Sequence, residues 1–459
     1  MSTVGELQHL VEWDKGLVNP TIYFDEEVYR LEQERIFEGA WLPVGHEDMV
    51  RNPGDYVTNY MGEVPVILVR DRAGSIRVFI NKCRHRGNEV CLFDRGNVRA
   101  FTCSYHGWAY GVDGRLISVP EEKSFYHGAL EKERWGLEEA DVVNFCGLVF
   151  ATLNRNAPSF EDWLGPDVRW WLENFVLAGP IGGLEMLPGF HRYQSPANWK
   201  LVAENFIGDN YHFPHTHTSL IRVMKDFSER GIMTPITSSP MTFRDRAREA
   251  TYEVTAGFRT SAPLGLGAMR IRTDEMLDRD IDHARTFGVG NAVIDWIRER
   301  DERIGKALAE FDPRPGKFSN GLLFPNLGLM GNMSPLIGKH FLLFHPRGVR
   351  HHETWQWTMV EKEAPDEVKE LAIQRVYQGQ HMAGFIAPDD LENFERMVEA
   401  MGSPAARRTP MNYEVHLGHD EDLLPSIPGN CGEEPSEVNQ REFYRFWLEL
   451  MGARPAGAA

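Results

Sequence analysis

Two pairs of cysteine and histidine have the spacing of iron–sulfur ligands. One residue separates Cys83 from His85, two separate Cys103 from His106, and seventeen lie between the pairs. Two thiolates on one iron and two imidazoles on the other form a Rieske-type [2Fe–2S] cluster, whose reduction potential the neutral imidazoles raise. Such a cluster accepts single electrons and passes them on. The spacing therefore predicts redox chemistry.

Zinc is the main alternative metal for these four residues. Structural zinc sites usually pair cysteine with cysteine and histidine with histidine, whereas each short pair here is mixed. The second pair lies in the segment 103–108, Cys-Ser-Tyr-His-Gly-Trp, whose aromatic residues could shield a cluster. Gly107 lets this loop turn tightly. These features favour iron.

A second group of chemistry-bearing residues begins near position 198. Read as one helix, the segment 198–212 places Asn205, Asp209 and His212 on one face, at positions i, i+4 and i+7. Pro214 is expected to break this helix, because proline removes a backbone donor. A turn there would bring His217 back towards His212. The pattern predicts two histidine ligands for one metal ion.

Two histidines need one carboxylate to form the facial triad typical of oxygen-activating Fe(II). The segment 387–392 supplies Asp389, Asp390 and Glu392 at the start of a predicted helix. The residues alone do not choose among these three. An Asp-Asp pair at a helix start is usually an N-terminal cap, and a single histidine is usually structural. Their occurrence together with the cysteine–histidine pairs favours a metal site.

The predicted strands and helices that carry these residues fall into two regions of the chain. At 459 residues the chain is too long for one hydrophobic core. From Trp41 to about residue 153, short β-type runs alternate with turn residues, which predicts a small antiparallel β domain with the cluster on two loops. Beyond Asp162, helices are predicted at 166–176, 198–212, 365–383 and 390–401, with strands at 338–344 and 353–361.

This pattern predicts an α+β fold, with the β domain inserted before a catalytic domain of antiparallel sheet covered by helices. We predict three segments: an N-terminal helical segment (1–40) packing with the catalytic domain, a cluster domain (41–155) and the catalytic domain (156–459).

Charge and composition exclude several classes of protein. The net charge of −18 argues against a nucleic-acid partner. No apolar run reaches the length of a membrane span, and the first fifteen residues lack a signal-peptide pattern. Five cysteines, two of them assigned to the cluster, fit a reducing cytoplasm. We therefore expect a cytoplasmic protein.

The chain resembles the large (α) subunits of Rieske non-haem iron aromatic-ring-hydroxylating dioxygenases, in particular the toluene/biphenyl and naphthalene dioxygenase branch. Similar segments run from Trp41 to 147–150, resume at 198–200, and continue through 324–326 and 345–348 to Asp389-Asp390. The resemblance implies a helix-grip-like catalytic domain. It also implies these ligands: Cys83, His85, Cys103 and His106 for the [2Fe–2S] cluster, and His212, His217 and Asp390 for a mononuclear Fe(II), with Asp389 as the neighbour of Asp390.

The same resemblance implies how electrons reach the iron. Asp209 would accept a hydrogen bond from His212 and bridge to His106 of a neighbouring subunit, because the two metal centres of one chain lie too far apart. Asn205 would lie near the iron without binding it. A trimer follows from this arrangement, either α3 or α3β3 with a small β subunit.

The electron supply must come from another protein. Gly265-Leu266-Gly267 and Gly288-Val289-Gly290 lack the third glycine and the context of a dinucleotide fingerprint. NAD(P)H would therefore act indirectly, through a reductase, a ferredoxin or both. Basic residues predominate over Glu89 and Asp94 near the cluster motifs: Lys82, Arg84, Arg86, Arg95 and Arg99. They could dock an acidic ferredoxin or form hydrogen bonds within the loops.

The resemblance implies an enzyme of aromatic hydrocarbon catabolism that adds both atoms of O2 to adjacent ring carbons, giving a cis-dihydrodiol. The pocket residues expected from their positions near the ligands are Phe206, Ile207, Phe213, Ile221, Phe385 and Ile386. Gln380, ten residues before Asp390, stands where hydrocarbon-oxidising members tend to have an aromatic residue, and His381 follows it. An unpaired polar group beside a hydrocarbon costs about 1–3 kcal/mol, so a substituted or hydroxylated arene is more plausible than a plain hydrocarbon if either residue faces the pocket. If both face solvent, the choice of arene stays open.

Three other functions compete with this interpretation. A Rieske monooxygenase or demethylase would share both metal centres and differ in its product. A Rieske electron carrier would not need His212 or Asp390. A zinc-stabilised binding protein for hydrophobic ligands would contain zinc and no iron.

Overall fold

The computed structural model describes residues 4–209, 211–220, 222, 253–257, 263–271, 274–309, 315–331, 335–379, 381–384, 386–419, 421–426, 428–433 and 435–452. They form two compact units. One unit spans residues 32–160. The other combines residues 1–31 with the chain from Glu161 onwards. Among the described residues, none of the helices has the length and apolar character needed to cross a bilayer.

The unit 32–160 is built from small antiparallel sheets. One sheet has the strand order Ile76–Ile80, Val64–Arg70, Asp55–Met61 and Arg95–Asn97. A second joins Asp141–Phe145, Leu148–Thr152 and Leu42–His46, and a third joins Leu116–Ser118, Ala109–Gly111 and Ala100–Thr102. Short helical segments lie at Gln33–Phe37, Glu47–Val50, Glu122–Tyr126 and Lys132–Trp135.

The cluster motifs lie in two loops of this unit, Cys83–Gly87 and Cys103–Gly107, which we call the cluster loops. The first follows the strand Ile76–Ile80, and the second connects Ala100–Thr102 to Ala109–Gly111. Both cysteine side chains belong to the unit's hydrophobic core, together with Phe79, Phe101 and Trp108. The core therefore fixes the base of each loop.

The second unit is organised around a large antiparallel sheet that contains nine strands within the described residues. Its order is Leu184–Ser195, His352–Glu361, Lys339–Pro346, Leu327–Met330, Asn320–Leu323, Leu264–Ile271, Glu253–Gly257 and Asn430–Glu433, with Pro315–Lys317 beside Leu264–Ile271. Val11–Glu12, Leu17–Val18 and Met411–Asn412 form a smaller sheet. The predicted α+β class is confirmed.

The described helices of this unit have the following bounds: Val4–Leu10, Glu26–Glu32, Phe160–Leu164, Pro166–Trp171, Trp199–Phe206, Phe213–Thr216, Asp274–Thr286, Asn291–Leu308, Asp366–Gln378, Ala387–Met401 and Val438–Leu450. Shorter 3-10 or π segments lie at Trp13–Lys15, Pro20–Tyr23, Leu172–Val176, Gly179–Ile181 and Ala406–Arg408. Asn198 caps Trp199–Phe206 by accepting a hydrogen bond from the Lys200 N–H.

The prediction of one helix over 198–212 is wrong, because the helix ends at Phe206. Gly208 has a φ of +124°, a conformation that L side chains rarely adopt, and it turns the chain away from the helix axis. Asp209 and His212 therefore follow the helix. Pro214 occupies the first turn of the short helix Phe213–Thr216, where its missing N–H costs nothing, so it starts a helix there.

Two glycines let the end of Trp199–Phe206 approach the sheet closely. A Cβ on Gly265 would lie 2.2 Å from the Ile207 carbonyl oxygen, and one on Gly208 would lie 2.5 Å from Asn439 Nδ2. Asn439 in turn donates a 2.8 Å hydrogen bond to the Ile207 carbonyl. Gly265 is thus a packing residue.

Gly265→Ala is expected to lower the free energy of unfolding by about 1–3 kcal/mol or more, because the rigid backbone of Ile207 occupies the required space. Chemical denaturation of the variant measures this loss. Gly432→Ala is the matched control, since that strand glycine has no atom within 4 Å of the added Cβ. Equal stability of the two variants would contradict the proposed close approach.

Candidate metal centres

The cluster loops share a backbone turn that presents their ligand side chains. The Gly87 N–H donates to the Cys83 carbonyl at 2.9 Å, and the Gly107 N–H donates to the Cys103 carbonyl at 3.0 Å. Gly87 and Gly107 have φ values of +75° and +69°. Each turn needs glycine, because other residues rarely adopt this conformation. The two loops therefore present their side chains from equivalent turns.

The four predicted cluster ligands lie together. The imidazole ring centroids of His85 and His106 are 4.5 Å apart, and the Cys103 thiol lies within hydrogen-bonding reach of the Cys83 thiol. Burial raises the pKa of Cys103, but hydrogen bonds from the N–H groups of Tyr105 and His106, together with those of the Cys83 and Asn88 side chains, hold that pKa below its usual value. A lowered pKa favours the thiolate, which is the form that binds metal.

A buried imidazole nitrogen shows that these residues fit a cluster. His85 Nδ1 is buried and has no hydrogen-bond partner in the described structure. The ring of His85 stacks on Trp108 at 5.0 Å with an interplanar angle of 6°, so the ring cannot turn freely to find a partner. Buried polar atoms are nearly always satisfied. Two thiols, two imidazoles and this open coordination position suit a Rieske cluster.

Tyr110 is a cluster contact that the sequence did not reveal. Its hydroxyl accepts a hydrogen bond from the Arg84 N–H at 3.0 Å and lies 3.3 Å from Cys83 Sγ. Because the Arg84 N–H already donates to this oxygen, the Tyr110 proton is directed to the sulfur. The sheet alternation within Ala109–Gly111, which buries Tyr110, is the only signal that could have indicated it.

Tyr110→Phe is expected to lower the reduction potential of the cluster, since a donated hydrogen bond stabilises the more negative reduced form. A hydrogen bond worth about 1 kcal/mol corresponds to roughly 40 mV for one electron. Redox titration followed by EPR measures the shift. Tyr56→Phe provides a control tyrosine of the same core. An unchanged potential in Tyr110→Phe would show that the hydroxyl does not donate to the sulfur.

The second site brings together His212, His217 and Asp390. One ligand atom from each residue lies within 4.8 Å of the other two. Asp390 Oδ1 is 3.5 Å from His212 Nε2 and 3.3 Å from His217 Nε2. Two imidazole nitrogens facing one carboxylate oxygen are the donor set of a two-histidine, one-carboxylate iron site. The residues present therefore fit a mononuclear iron.

Carboxylates hold the far sides of both imidazole rings. Asp209 Oδ2 lies 3.2 Å from His212 Nδ1, and Asp389 Oδ2 lies 3.2 Å from His217 Nδ1. A proton on each Nδ1 leaves each Nε2 lone pair free for a metal. Burial alone would lower the pKa of His212, but the hydrogen bond and charge of Asp209 hold it above its usual value.

Asp389, Asp390 and Glu392, the three candidates for the carboxylate ligand, point in different directions at the start of helix Ala387–Met401. Asp390 faces both Nε2 atoms, whereas Asp389 contacts the Nδ1 side of His217. Glu392 forms an exposed 2.5 Å ion pair with Arg396 on the same helix. The role of Asp389 was missed in the sequence, where it was only the neighbour of Asp390. The adjacency of two acids in a helical turn, which points them in different directions, was the available signal.

Asn205 lies on the His212 side of the site. Its Nδ2 atom is 3.3 Å from His212 Nδ1, and its carbonyl accepts a hydrogen bond from Asn320. Asn393 donates to Thr216 at 3.4 Å, which joins Ala387–Met401 to Phe213–Thr216. These contacts hold the two ligand-bearing segments against each other.

A cavity of about 280 Å³ borders the site. Its lining consists of Leu201, Glu204, Asn205, Asp209, His212, Thr216, Asp390, Asn393, Phe394, Met397, Tyr413, Glu437 and Gln440. Carboxyl, amide and hydroxyl groups line it together with apolar side chains, which form the larger share of its surface. The cavity is therefore a space of mixed polar and apolar lining on the Asp209 side of the site, large enough to admit water.

The predicted pocket residues lie elsewhere around the ligands. Phe206 packs on Phe344 with ring centroids 4.9 Å apart, Ile207 is buried between helix and sheet, and Phe213 contacts the His217 ring at 5.1 Å. Ile386 lies near Gly379. Ile221 and Phe385, like Gln380, lie outside the described residues. His381 contacts the ring of His191 at 4.3 Å.

The five basic residues near the cluster could dock a ferredoxin or form contacts within the loops, and they fall into two groups. Lys82 and Arg84 pair with Glu138 at 3.3 and 3.6 Å, and Arg84 also donates to the Gly136 carbonyl. Arg86, Arg95 and Arg99 are exposed. The first two residues therefore brace the loop, and the other three are accessible.

Comparison with known families fits this geometry. Residues 40–137 match the Rieske [2Fe-2S] domain, and residues 189–453, more than half of the chain, match the ring hydroxylating alpha subunit (catalytic domain). The chain belongs to the ring-hydroxylating alpha subunits. Family members carry a Rieske cluster and a mononuclear iron, and the predicted family and cofactors are confirmed.

Several relatives of this alpha subunit are named as dioxygenases of aromatic compounds. The chain is 34% identical to the alpha subunit of chlorobenzene dioxygenase from Cupriavidus sp. (strain PS12), over 97% of this chain and 93% of the relative. It is also 34% identical to the alpha subunit of biphenyl 2,3-dioxygenase from Rhodococcus jostii (strain RHA1), over 97% and 91%. The named relatives are aromatic dioxygenases, and the predicted enzyme class is confirmed.

Solved structures support the same assignment. Naphthalene 1,2-dioxygenase from Rhodococcus sp., bound to indole, superposes with a TM-score of 0.79 and 30% identity over the full length of both chains. A quaternary ammonium Rieske monooxygenase reaches a TM-score of 0.63 at 17% identity over 96% of both chains, which shows a shared fold alone. The dioxygenase prediction is therefore better supported than the monooxygenase alternative.

Proposed function

We propose that this alpha subunit is the terminal oxygenase of an aromatic dioxygenase system, which adds both atoms of O2 to adjacent ring carbons and forms a cis-dihydrodiol. The observation that carries the proposal is the set of His212, His217 and Asp390 in a chain that also contains a Rieske domain. A Rieske electron carrier has no use for this second site.

Each residue at the second site has a role that its contacts support. His212, His217 and Asp390 hold the iron, which supplies oxygen activation when bound. Asp209 and Asp389 keep the two imidazoles in the tautomer that presents Nε2 to the metal. Asn205 packs against the Nδ1 edge of the His212 ring, whose Nδ1 proton faces Asp209.

The cluster site passes the electrons for this reaction to the iron one at a time. Cys83, His85, Cys103 and His106 hold the [2Fe–2S] cluster within residues 41–155, the segment that we propose as the electron-storing domain. Residues 156–459, with the N-terminal segment 1–40 packed against them, are the proposed catalytic domain. The two described units divide the chain at 31/32 and 160/161.

The proposed assembly is a trimer, α3 or α3β3, in which Asp209 bridges to His106 of the neighbouring subunit. Asp209 supports this role because its side chain is 28% exposed while it holds His212. Electrons come from NAD(P)H through a reductase and a ferredoxin, and the exposed Arg86, Arg95 and Arg99 offer a basic surface for an acidic ferredoxin. The proposed compartment is the cytoplasm, where the five free cysteines would stay reduced.

The proposed substrate is an arene such as those named for the relatives: benzene, chlorobenzene, biphenyl or naphthalene. Phe206, Ile207, Phe213, Ile221, Phe385 and Ile386 remain the proposed walls of the apolar pocket. His381 Nδ1 accepts a hydrogen bond from the Ala383 N–H at 3.0 Å, which pairs that nitrogen within the protein. A substituted or hydroxylated arene stays the alternative substrate.

Turnover under ¹⁸O2 tests the proposed reaction. The purified oxygenase, supplied with a heterologous ferredoxin and reductase, is expected to convert at least one of these four arenes into a cis-dihydrodiol that carries two labelled oxygens. Mass spectrometry counts the label. A product with a single labelled hydroxyl would indicate a Rieske monooxygenase instead, and Asp390→Ala protein is the inactive control.

A further inference from the structure

Beside the iron site, three tyrosines surround a buried glutamate, and we call these four residues the glutamate–tyrosine cluster. Glu204, on Trp199–Phe206, is 7% exposed. Tyr23 donates to Glu204 Oε2 and Tyr413 to Oε1, each at 2.9 Å, and Tyr444 also donates to Oε2. Three neutral donors surround one carboxyl, so the site can hold it either charged or protonated.

The groups around this carboxyl come from several elements. Lys200, one turn earlier on the same helix, places its ammonium 5.6 Å from the Tyr23 ring centroid. Gln440, on Val438–Leu450, donates to the Glu204 carbonyl. The negative charge of Asp209 also acts on Glu204, and Glu437 lines the same cavity.

The cavity of about 280 Å³ connects this cluster to the iron site. Glu204 and Tyr413 line it, and so do His212 and Asp390. A water molecule takes up roughly 30 Å³ of liquid, so the cavity has room for several waters. A hydrogen-bonded water chain can therefore run from the Glu204 carboxyl to the metal ligands.

The proposed reaction consumes protons at the iron site. Arene, O2, two electrons and two protons give one cis-dihydrodiol. The cluster passes one electron at a time, so the second electron would come from a further reduction of the cluster by ferredoxin or, in a single turnover, from the ferrous iron. Solvent must supply the protons. We propose that Glu204 stores one of these protons and relays it through the cavity waters to the reacting oxygen, regaining it from solvent through the same cavity. This inference rests on the proposed function. A local store is useful because a neighbouring subunit at Asp209 would narrow the path to bulk water.

The ionisation behaviour of the cluster supports this role. Burial raises the pKa of Glu204 to about 7, although the three tyrosine hydroxyls oppose that rise. Burial and the Glu204 charge raise the pKa of each tyrosine well above its usual value. The carboxyl is therefore the group that exchanges a proton near neutral pH. It holds a proton below about pH 7 and is empty above it.

Glu204→Gln tests the relay, because the amide keeps the shape of the carboxyl and cannot exchange its proton. In holoenzyme with reduced clusters, a single turnover with naphthalene and O2 is expected to form product about 100-fold more slowly than wild type. The wild-type rate should fall as the pH rises through 7 and should slow in D2O, and the variant should lose that pH dependence. Glu204→Asp should partly restore it.

Glu361→Gln is the matched control, since it also neutralises a buried glutamate, one that accepts a 2.8 Å hydrogen bond from Arg300 away from the cavity. It should keep the wild-type pH profile and solvent isotope effect. If Glu204→Gln keeps iron and sulfide content together with the wild-type pH profile and isotope effect, the glutamate–tyrosine cluster is only a structural link and the relay is wrong.

A second measurement separates this inference from the proposed function. Infrared spectroscopy of resting holoenzyme should show a protonated-carboxyl band that disappears as the pH rises through neutrality and that is missing in Glu204→Gln. Absence of this band from the wild type would overturn the relay whatever the product. If the band titrates but no arene is converted into a dihydrodiol, the proposed function fails and the relay to that reaction fails with it.

Discussion

Asp390→Ala is expected to release the mononuclear iron and abolish product formation while leaving the Rieske cluster intact. Asp390 is the carboxylate that faces both imidazole Nε2 atoms, at 3.5 and 3.3 Å, so its loss leaves the metal only two imidazoles. Loss of a residue that merely orients a ligand typically costs 10–100-fold in metal affinity, and loss of a ligand should exceed about 100-fold. Iron and sulfide analysis, with EPR of the reduced cluster, measures the outcome.

Two neighbouring acids provide graded controls for this prediction. Asp389→Ala should weaken iron binding by about 10–100-fold, because His217 loses its Nδ1 partner but keeps its Nε2 ligand atom. Glu392→Ala should bind iron like the wild type, since Glu392 pairs with Arg396 on the exposed face of the helix. If Asp389→Ala lost more iron than Asp390→Ala, the assignment of the two aspartates would be reversed.

Asp209→Ala is expected to slow electron transfer from the cluster to the iron site by about 100-fold or more. Asp209 holds His212 through two contacts, Oδ2 to Nδ1 and the His212 N–H to Oδ1, each at 3.2 Å. The proposed bridge to the neighbouring subunit also uses this carboxylate. Stopped-flow absorbance follows oxidation of the reduced cluster by O2 in the presence of an arene.

Asn205→Ala distinguishes the two roles of Asp209, which are to orient His212 and to bridge to the neighbouring subunit. Asn205 also contacts His212 Nδ1, at 3.3 Å, but it carries no charge and is not part of the proposed bridge. Asn205→Ala should therefore reduce iron affinity modestly and leave the rate of cluster oxidation per bound iron near the wild-type value. Equal slowing in both variants would show that orientation of His212 is the whole effect.

The sequence predicted those parts of the site that depend on short-range spacing. The cluster residues lie at the bases of two glycine turns, so the spacing of Cys83 from His85 and of Cys103 from His106 carried most of the geometry. Fold class followed from the alternation of β-type runs and helical stretches. These signals are local and need no tertiary contact to be recognised.

Tertiary contacts account for what the sequence did not show. The helix through Asn205 ends early because Gly208 packs beside Asn439, which lies more than two hundred residues later. Asp389 contacts His217, 172 residues earlier in the chain, and Tyr110 contacts Cys83, 27 residues earlier. The glutamate–tyrosine cluster joins residues as distant as Tyr23 and Tyr444. Spacing rules apply within an element and cannot reveal pairs of this kind.

The central claim is that one chain holds a Rieske cluster and a separate iron at His212, His217 and Asp390. Anaerobic purification followed by counting iron and acid-labile sulfide, with EPR of the dithionite-reduced protein, tests it most directly. A chain that holds both centres should contain three irons and two sulfides and should give a Rieske signal. Two irons and two sulfides that persist after Fe(II) soaking would contradict the second site, and zinc without sulfide would contradict both.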